Sequence, residues 1–421
     1  MWSYIYLLAC IISIIRILYR KFDVISLATL SFIYYTSSCL SGVVYITRST
    51  GYYFYSDISS TTYICVITQL VLMNIVPMFV SEKRVSFSTG IDAKNFTNTE
   101  NVGKRDFFVI DTYDLIFIAS VLIFVYNIIF EIGISTFFSM TSKTDLIESA
   151  NFLFSLSIWG ILISFGYSLQ AKKRGITILC SICLLLILIL GSRSYFTVGV
   201  IIALLYYLEN IAKFAKNNIK VLIFIVILAF GLMIYKEIYK YVRALDFQSV
   251  ISVLTSVDTY EKILTSSESR TTFSLYEYIV QTDYHLSIGD SLVRIISIIP
   301  FVNNLIPTEH SVRFSSIATN EIFHSSYGLG STFWGESYAM GGALFLFLMT
   351  AIWIGLLKKY SSNLNENNPT FCFVVPFISY VSFYIHRLDW VQVWGAFKSI
   401  AVWFIVFWVI NNLLSSKREY W

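Results

Sequence analysis

Two residue types in this chain are equipped for chemistry outside its basic clusters. They are the histidines His285, His310, His324 and His386 and the arginines Arg193, Arg270, Arg294, Arg313 and Arg387. A guanidinium stays charged beside a membrane and grips a phosphate through two parallel hydrogen bonds. Arg193 sits in GSRSYF, residues 191–196, a turn with almost no loop. The chemistry open to it is a clamp on a lipid-linked phosphate or pyrophosphate; the plainer alternative is an arginine snorkelling to a lipid headgroup. Arg270, in SSESRTTF, has Glu268 and Glu261 as competing partners on a solvated helix. Arg313 precedes His324 by eleven residues in one loop element, and Arg294 lies on an amphipathic run where interfacial anchoring is expected.

Histidine can exchange a proton at neutral pH. His324 lies in NEIFHSSYGLGSTFWGESYAMGG, residues 320–342, where Gly328 and Gly330 permit tight turns and Glu336 approaches the next apolar stretch. His324 and Glu336 are therefore the catalytic candidates, and Arg193, Arg270 and Arg313 the anion-binding ones. His310 and His386 read as hydrogen-bonded structural residues. No histidine pair has the helical spacing of a metal site, so no metal or other cofactor is expected. Cys180 and Cys183 form a Cys-x-x-Cys, but inside an uncharged stretch they read as two small apolar residues.

These residues must be positioned by elements that the composition makes unusual. The chain has 421 residues, 56% hydrophobic and 13% charged, with mean hydropathy +0.69. A soluble domain carries roughly 25% charged residues, so too few polar groups are present to cover a water-exposed surface. That excludes a soluble enzyme, a nucleic-acid-binding domain and a disordered chain. No Walker A sequence, G-x-S-x-G or H-E-x-x-H occurs.

A bilayer-crossing helix takes about 20 apolar residues. The intervals between charges predict about eleven spans, near 2–19, 25–47, 61–81, 113–132, 151–170, 176–192, 194–211, 220–239, 336–358, 370–386 and 396–414. The first reads as a retained span, because Arg16, Arg20 and Lys21 follow the apolar run instead of preceding it. Alternate loops collect 18 of the 30 Lys and Arg residues. By the positive-inside rule the N-terminus is expected outside and the C-terminus in the cytoplasm. The expected organisation is transmembrane helices over 1–239, a long outer region over 240–335 with amphipathic helices, and further spans over 336–421. The fold class is an all-α polytopic membrane protein.

The GSRS turn, the long outer region, IIPFVNNLIP at 298–307 and FHSSYGLGSTFWGESYAMGG at 323–342 together resemble the bacterial O-antigen (oligosaccharide repeat unit) polymerases. The resemblance covers most of the chain as architecture and about 60 residues as motifs. It implies a membrane-embedded glycosyltransferase in the bacterial inner membrane that moves a growing glycan from undecaprenyl pyrophosphate to a new lipid-linked repeat unit. Implied partners are those lipid-linked oligosaccharides, membrane lipids and a chain-length regulator protein, with no nucleic acid. The related O-antigen ligases share the layout, but their His-Asn pairing is missing here, since Ser325 follows His324. A lipid-linked oligosaccharide flippase would need polar groups lining a path within its spans, and this chain has almost none there. A receptor or scaffold would not need five arginines on the outer face.

Overall fold

The structure, a computed structural model, describes residues 1–19, 23–43, 57–80, 111–139, 152–207, 219–260, 268–297, 299, 314–322, 331–361 and 371–418. Helices dominate the described residues, and no strand occurs among them. The chain runs through α1 (Trp2–Tyr19), α2 (Val24–Tyr35), α3 (Ser60–Phe79), α4 (Thr112–Tyr126), α5 (Phe152–Gln170), α6 (Arg174–Ile189) and α7 (Arg193–Tyr207). It continues through α8 (Ile219–Arg243), α9 (Phe247–Thr255), α10 (Glu268–Gln281), α11 (Ile288–Ile296) and α12 (Phe314–Ile317). The last three are α13 (Phe333–Ser361), α14 (Phe371–Tyr384) and α15 (Trp390–Arg418).

Each predicted interval holds a helix, yet length and apolarity separate them. Among the described residues, six stretches are long and apolar enough to cross a membrane: Trp2–Tyr19, Ser60–Phe79, Thr112–Phe137, Phe152–Gln170, Phe333–Ser361 and Trp390–Leu413. Short polar side chains start several helices by accepting backbone N–H groups that have no partner of their own. Asp23 caps α2, Ser59 caps α3, Asp246 caps α9 and Ser287 caps α11. Asp111 and Asp114 close a reciprocal capping box on α4.

Residues 1–81, 207–361 and 378–398 form one compact unit. There α1 packs on α3, and α13 packs on α2, α3 and α10. The apolar face that α1 leaves uncovered, with Leu8, Ile11, Ile12 and Ile15 exposed, suits lipid rather than water. Its inner side is polar but satisfied: Asn74 donates to Ser13 Oγ at 2.7 Å and accepts from Arg16 at 3.0 Å. Long α13 breaks at Gly341 and Gly342, whose backbone leaves the helical region. Gly342 has φ +66°, a left-handed value that a side chain would strain.

Residues 82–206, 362–377 and 399–421 form the second unit, centred on α5, of which 78% is buried. Gly160 makes that centre possible. A Cβ on it would stand 1.9 Å from Ser120 Oγ and 2.8 Å from the Trp403 ring. Trp403 accordingly lies flush against α5 and donates its indole N–H to the Leu156 carbonyl at 2.7 Å.

Candidate functional site

The first unit gathers its charged chemistry around the head of α13. Glu336, in that helix's first turn, is 1% exposed and pairs with Arg294 of α11, which is fully buried. Arg294 Nε donates to Glu336 Oε1 at 2.9 Å, and the backbone N–H of Trp390 donates to Glu336 Oε2 at 2.6 Å. The guanidinium also donates to the Asp290 carbonyl at 2.8 Å and lies 5.9 Å from the Phe314 ring. Asp389 completes the junction: it accepts from the Gln392 N–H at 2.8 Å and from Ser315 Oγ at 3.3 Å. One ion pair thus ties together α11, α12, α13 and the start of α15. Arg294 is not the interfacial anchor its amphipathic run suggests, because its head group turns inward to the buried Glu336 carboxylate.

Two residues before Glu336, Trp334 donates its indole N–H to His386 Nδ1 at 2.8 Å. That bond places the histidine proton on Nε2. Phe32, Tyr276, Gln69, Trp334 and His386 line a cavity of about 20 Å³, room for about one water molecule. Gln69 spans it in a polar chain, donating to Thr350 at 3.1 Å and accepting from Tyr276 at 3.0 Å. This pocket is too small for a sugar, and its polar groups hold helices in register.

A third cluster lies at the other edge of the same helix head. Tyr338 donates its hydroxyl to Asp283 Oδ1 at 2.8 Å, and His285 Nε2 lies 3.2 Å from that oxygen. Unlike the first two clusters, this one is open: the His285 and Asp283 side chains are 48% and 71% exposed.

The second unit contributes Arg193, the first residue of α7. Gly191, at φ +88°, and Ser192 are nearly all that separates it from α6, and the Gly191 N–H closes that helix on the Leu188 carbonyl at 2.7 Å. The tight turn expected around GSRS is present, and the left-handed glycine is what makes it so short. Arg270 stands in the first turn of α10 in the first unit, half-buried, and that dehydration pulls its pKa down from the usual value. Arg313, His310 and His324 lie outside the described residues. Among the described residues, no group of three His, Cys, Asp or Glu side chains is placed to hold a metal ion.

A family model described as O-antigen polysaccharide polymerase Wzy matches residues 1–418. The chain belongs to the Wzy family. It is an O-antigen polymerase, acting in a membrane on lipid-linked repeat units. No curated protein and no solved structure matches the chain.

For this polymerase, reading the sequence missed two features of the helix head. Spacing alone gives no reason to join Arg294 to Glu336 across 42 residues. The joining signal is Arg294's place on the polar edge of an otherwise apolar helix, which allows either a water-facing or a buried partner. The Asp283–His285–Tyr338 cluster had a local signal, two ionisable residues two apart between helices, with no motif to distinguish it from a solvated turn.

Proposed function

We propose that the polymerase binds the donor's pyrophosphate through Arg193, Arg270 and Arg313, and that His324 holds the attacking hydroxyl of the acceptor. The donor is the growing glycan on undecaprenyl pyrophosphate, and the acceptor is one repeat unit on the same carrier. The whole-chain family match carries this reading. Chemistry supports it: a departing pyrophosphate gains negative charge as the glycosidic bond forms, and arginines already in place stabilise that charge without reorganising. Arg193 suits the part, since the Gly191 turn leaves it little freedom.

Glu336, read from sequence as a catalytic candidate, takes a positioning part in this proposal. Both its oxygens are engaged and the group is sealed from substrate. The remaining architecture is proposed as eleven spans in the bacterial inner membrane, with the N-terminus periplasmic, the C-terminus cytoplasmic and a chain-length regulator as partner.

The test is a deletion strain complemented with variants and scored by lipopolysaccharide ladders. Arg193→Ala should give single-repeat product at near-normal protein level, with Arg193→Lys restoring only part of the ladder, because an ammonium cannot grip two oxygens side by side. A full ladder from Arg193→Ala removes that residue from the site. A reporter inserted near Ser266 should read periplasmic and one after Lys417 cytoplasmic; the opposite pair of signals reverses the orientation.

A further inference from the structure

We propose that His285, with the Asp283 carboxylate beside it, is the proton acceptor for the attacking sugar hydroxyl, an assignment that rests on the polymerase reading above and deepens it. The six residues between α10 and α11 form a short linker laid against the head of α13. Its backbone is pinned there by the Leu286 N–H, which donates to the Ala339 carbonyl at 2.8 Å. Asp283 adopts φ +50°, a conformation that aspartate tolerates better than most residues, and this turns its carboxylate toward Tyr338 and His285.

Tyr338 fixes the carboxylate by donating to Oδ1, and the ring of His285 lies nearly parallel to that of Tyr338, at 11° and 6.0 Å between centroids. His285 Nε2 stands 3.2 Å from that carboxylate oxygen, so the Asp283 charge favours the imidazolium that forms when the ring takes up a proton, and the ring, 48% exposed, is open to substrate. A histidine open to substrate, with a carboxylate beside it to stabilise the imidazolium, is equipped for general-base catalysis. His386 offers the contrast: its Nδ1 is occupied by Trp334 and the residue is 2% exposed.

The neighbouring helix sets the depth. α11 begins three residues after His285, and Ile288, Leu292, Ile295 and Ile296 are exposed along it while Arg294 is locked inward to Glu336. A short helix with one exposed apolar face, held to the head of a membrane-crossing helix, lies in the plane of the membrane surface. His285 is thereby placed where the first sugars of a lipid-linked glycan emerge from the bilayer.

The step balances without a further reactant. The hydroxyl oxygen bonds to the donor's anomeric carbon as that carbon's bond to pyrophosphate breaks, and the pyrophosphate leaves with the electron pair. The hydroxyl proton passes to the His285 imidazole and then to water.

The experiment uses the full-length protein in liposomes with an undecaprenyl-pyrophosphate-linked repeat unit as substrate. His285→Gln should lower kcat by about 10²–10⁴ with KM nearly unchanged. Asp283→Asn should lower kcat by up to about 10⁴-fold, the loss expected when the carboxylate beside a general-base histidine becomes an amide. Added imidazole should restore much of the turnover of His285→Ala, a rescue that a merely structural histidine would not show. Wild-type kcat in His285→Gln overturns the proposal, as does a His285→Ala enzyme that binds substrate normally and ignores imidazole. Arg193→Ala is assayed in the same preparation. If it retains full turnover the arginine site fails while the His285 result still stands, and the two readings are judged separately.

Discussion

Two junctions in this polymerase use the same chemistry in different surroundings. In the first unit, Arg294 and Glu336 pair at 2.9 Å with side chains 0% and 1% exposed. In the second, Lys173 pairs with Asp114 at 2.9 Å, and its own side chain is 30% exposed while that of Asp114 is 16%. Asp111 joins that group, accepting from both Lys173 and the Tyr167 hydroxyl. Removing charges from water costs several kcal/mol per ion, and only good geometry with every lone pair engaged offsets it. The buried pair goes part of the way: each Glu336 oxygen accepts one hydrogen bond, from Arg294 and from the Trp390 N–H, and the guanidinium also donates to the Asp290 carbonyl. The open pair has water to share the work, so it tolerates loss. Identical contacts on paper therefore carry different weight, and exposure decides which.

The sharpest break of the comparison is Arg294→Met. It leaves Glu336 buried and unpaired, which costs about 3–5 kcal/mol, and thermal unfolding in detergent should show a large fall in Tm. Adding Glu336→Gln should recover part of the loss, since an amide oxygen can still accept from Trp390. A single variant no less stable than Lys173→Ala would erase the distinction between sealed and open pairs.

A smaller effect is expected in the same unit from Trp334→Phe, which strands His386 Nδ1 in a buried site. The loss should be about 1–3 kcal/mol, and His386→Phe added to it should cost little more, because the stranded atom is then gone. Strictly additive losses would mean that the 2.8 Å bond contributes nothing.

In the second unit, Gly191→Ala should destabilise by about 1–2 kcal/mol, the penalty for a side chain at a left-handed position. Because Arg193 lies only two residues on, polymer ladders should shorten in parallel. Unchanged stability would show that the turn can relax.

The smallest effect belongs to Lys173→Ala, under about 1 kcal/mol for a partly exposed pair. Its pH dependence sharpens the case. Burial works against the ammonium, but the hydrogen bonds and charges of Asp111 and Asp114 outweigh it, so the pKa of Lys173 is raised. A raised lysine pKa means stabilisation fully present below the unfolded value of about 10.4 and lost as pH climbs through the folded one. The gap between wild type and Lys173→Ala should hold steady up to about pH 10 and close above it. A gap that closes between pH 7 and 9 would contradict the raised value.

How much of this was legible in the sequence depended on the range of the interactions. Apolar run length is a local property, so helices appear in every interval expected to cross the membrane, and the Gly191 turn before Arg193 follows from four adjacent residues. Helix ends were also local, as Asp23, Ser59 and Ser287 show. The clasp was not legible, because Arg294 reaches Glu336 only after the chain folds back over 42 residues. An arginine on an amphipathic helix looks the same whether its partner is a lipid headgroup or a buried carboxylate. His386 illustrates the converse: its structural reading was sound, yet nothing local indicated that Trp334 would be its partner.

The break at Gly341 and Gly342 divides α13 mechanically as well as geometrically. Its short upstream piece carries Trp334, Glu336 and Tyr338, while the longer downstream piece is the part fit to cross the bilayer. A helix spanning membranes of different thickness answers by tilting, and an unbroken rod would pass each tilt to whatever its end carries. Two successive glycines outside helical geometry form a joint instead. A joint there would keep the bilayer's thickness from acting on the residues at the helix head, and turnover in liposomes of shorter or longer acyl chains should then stay level where Gly341→Ala makes it vary.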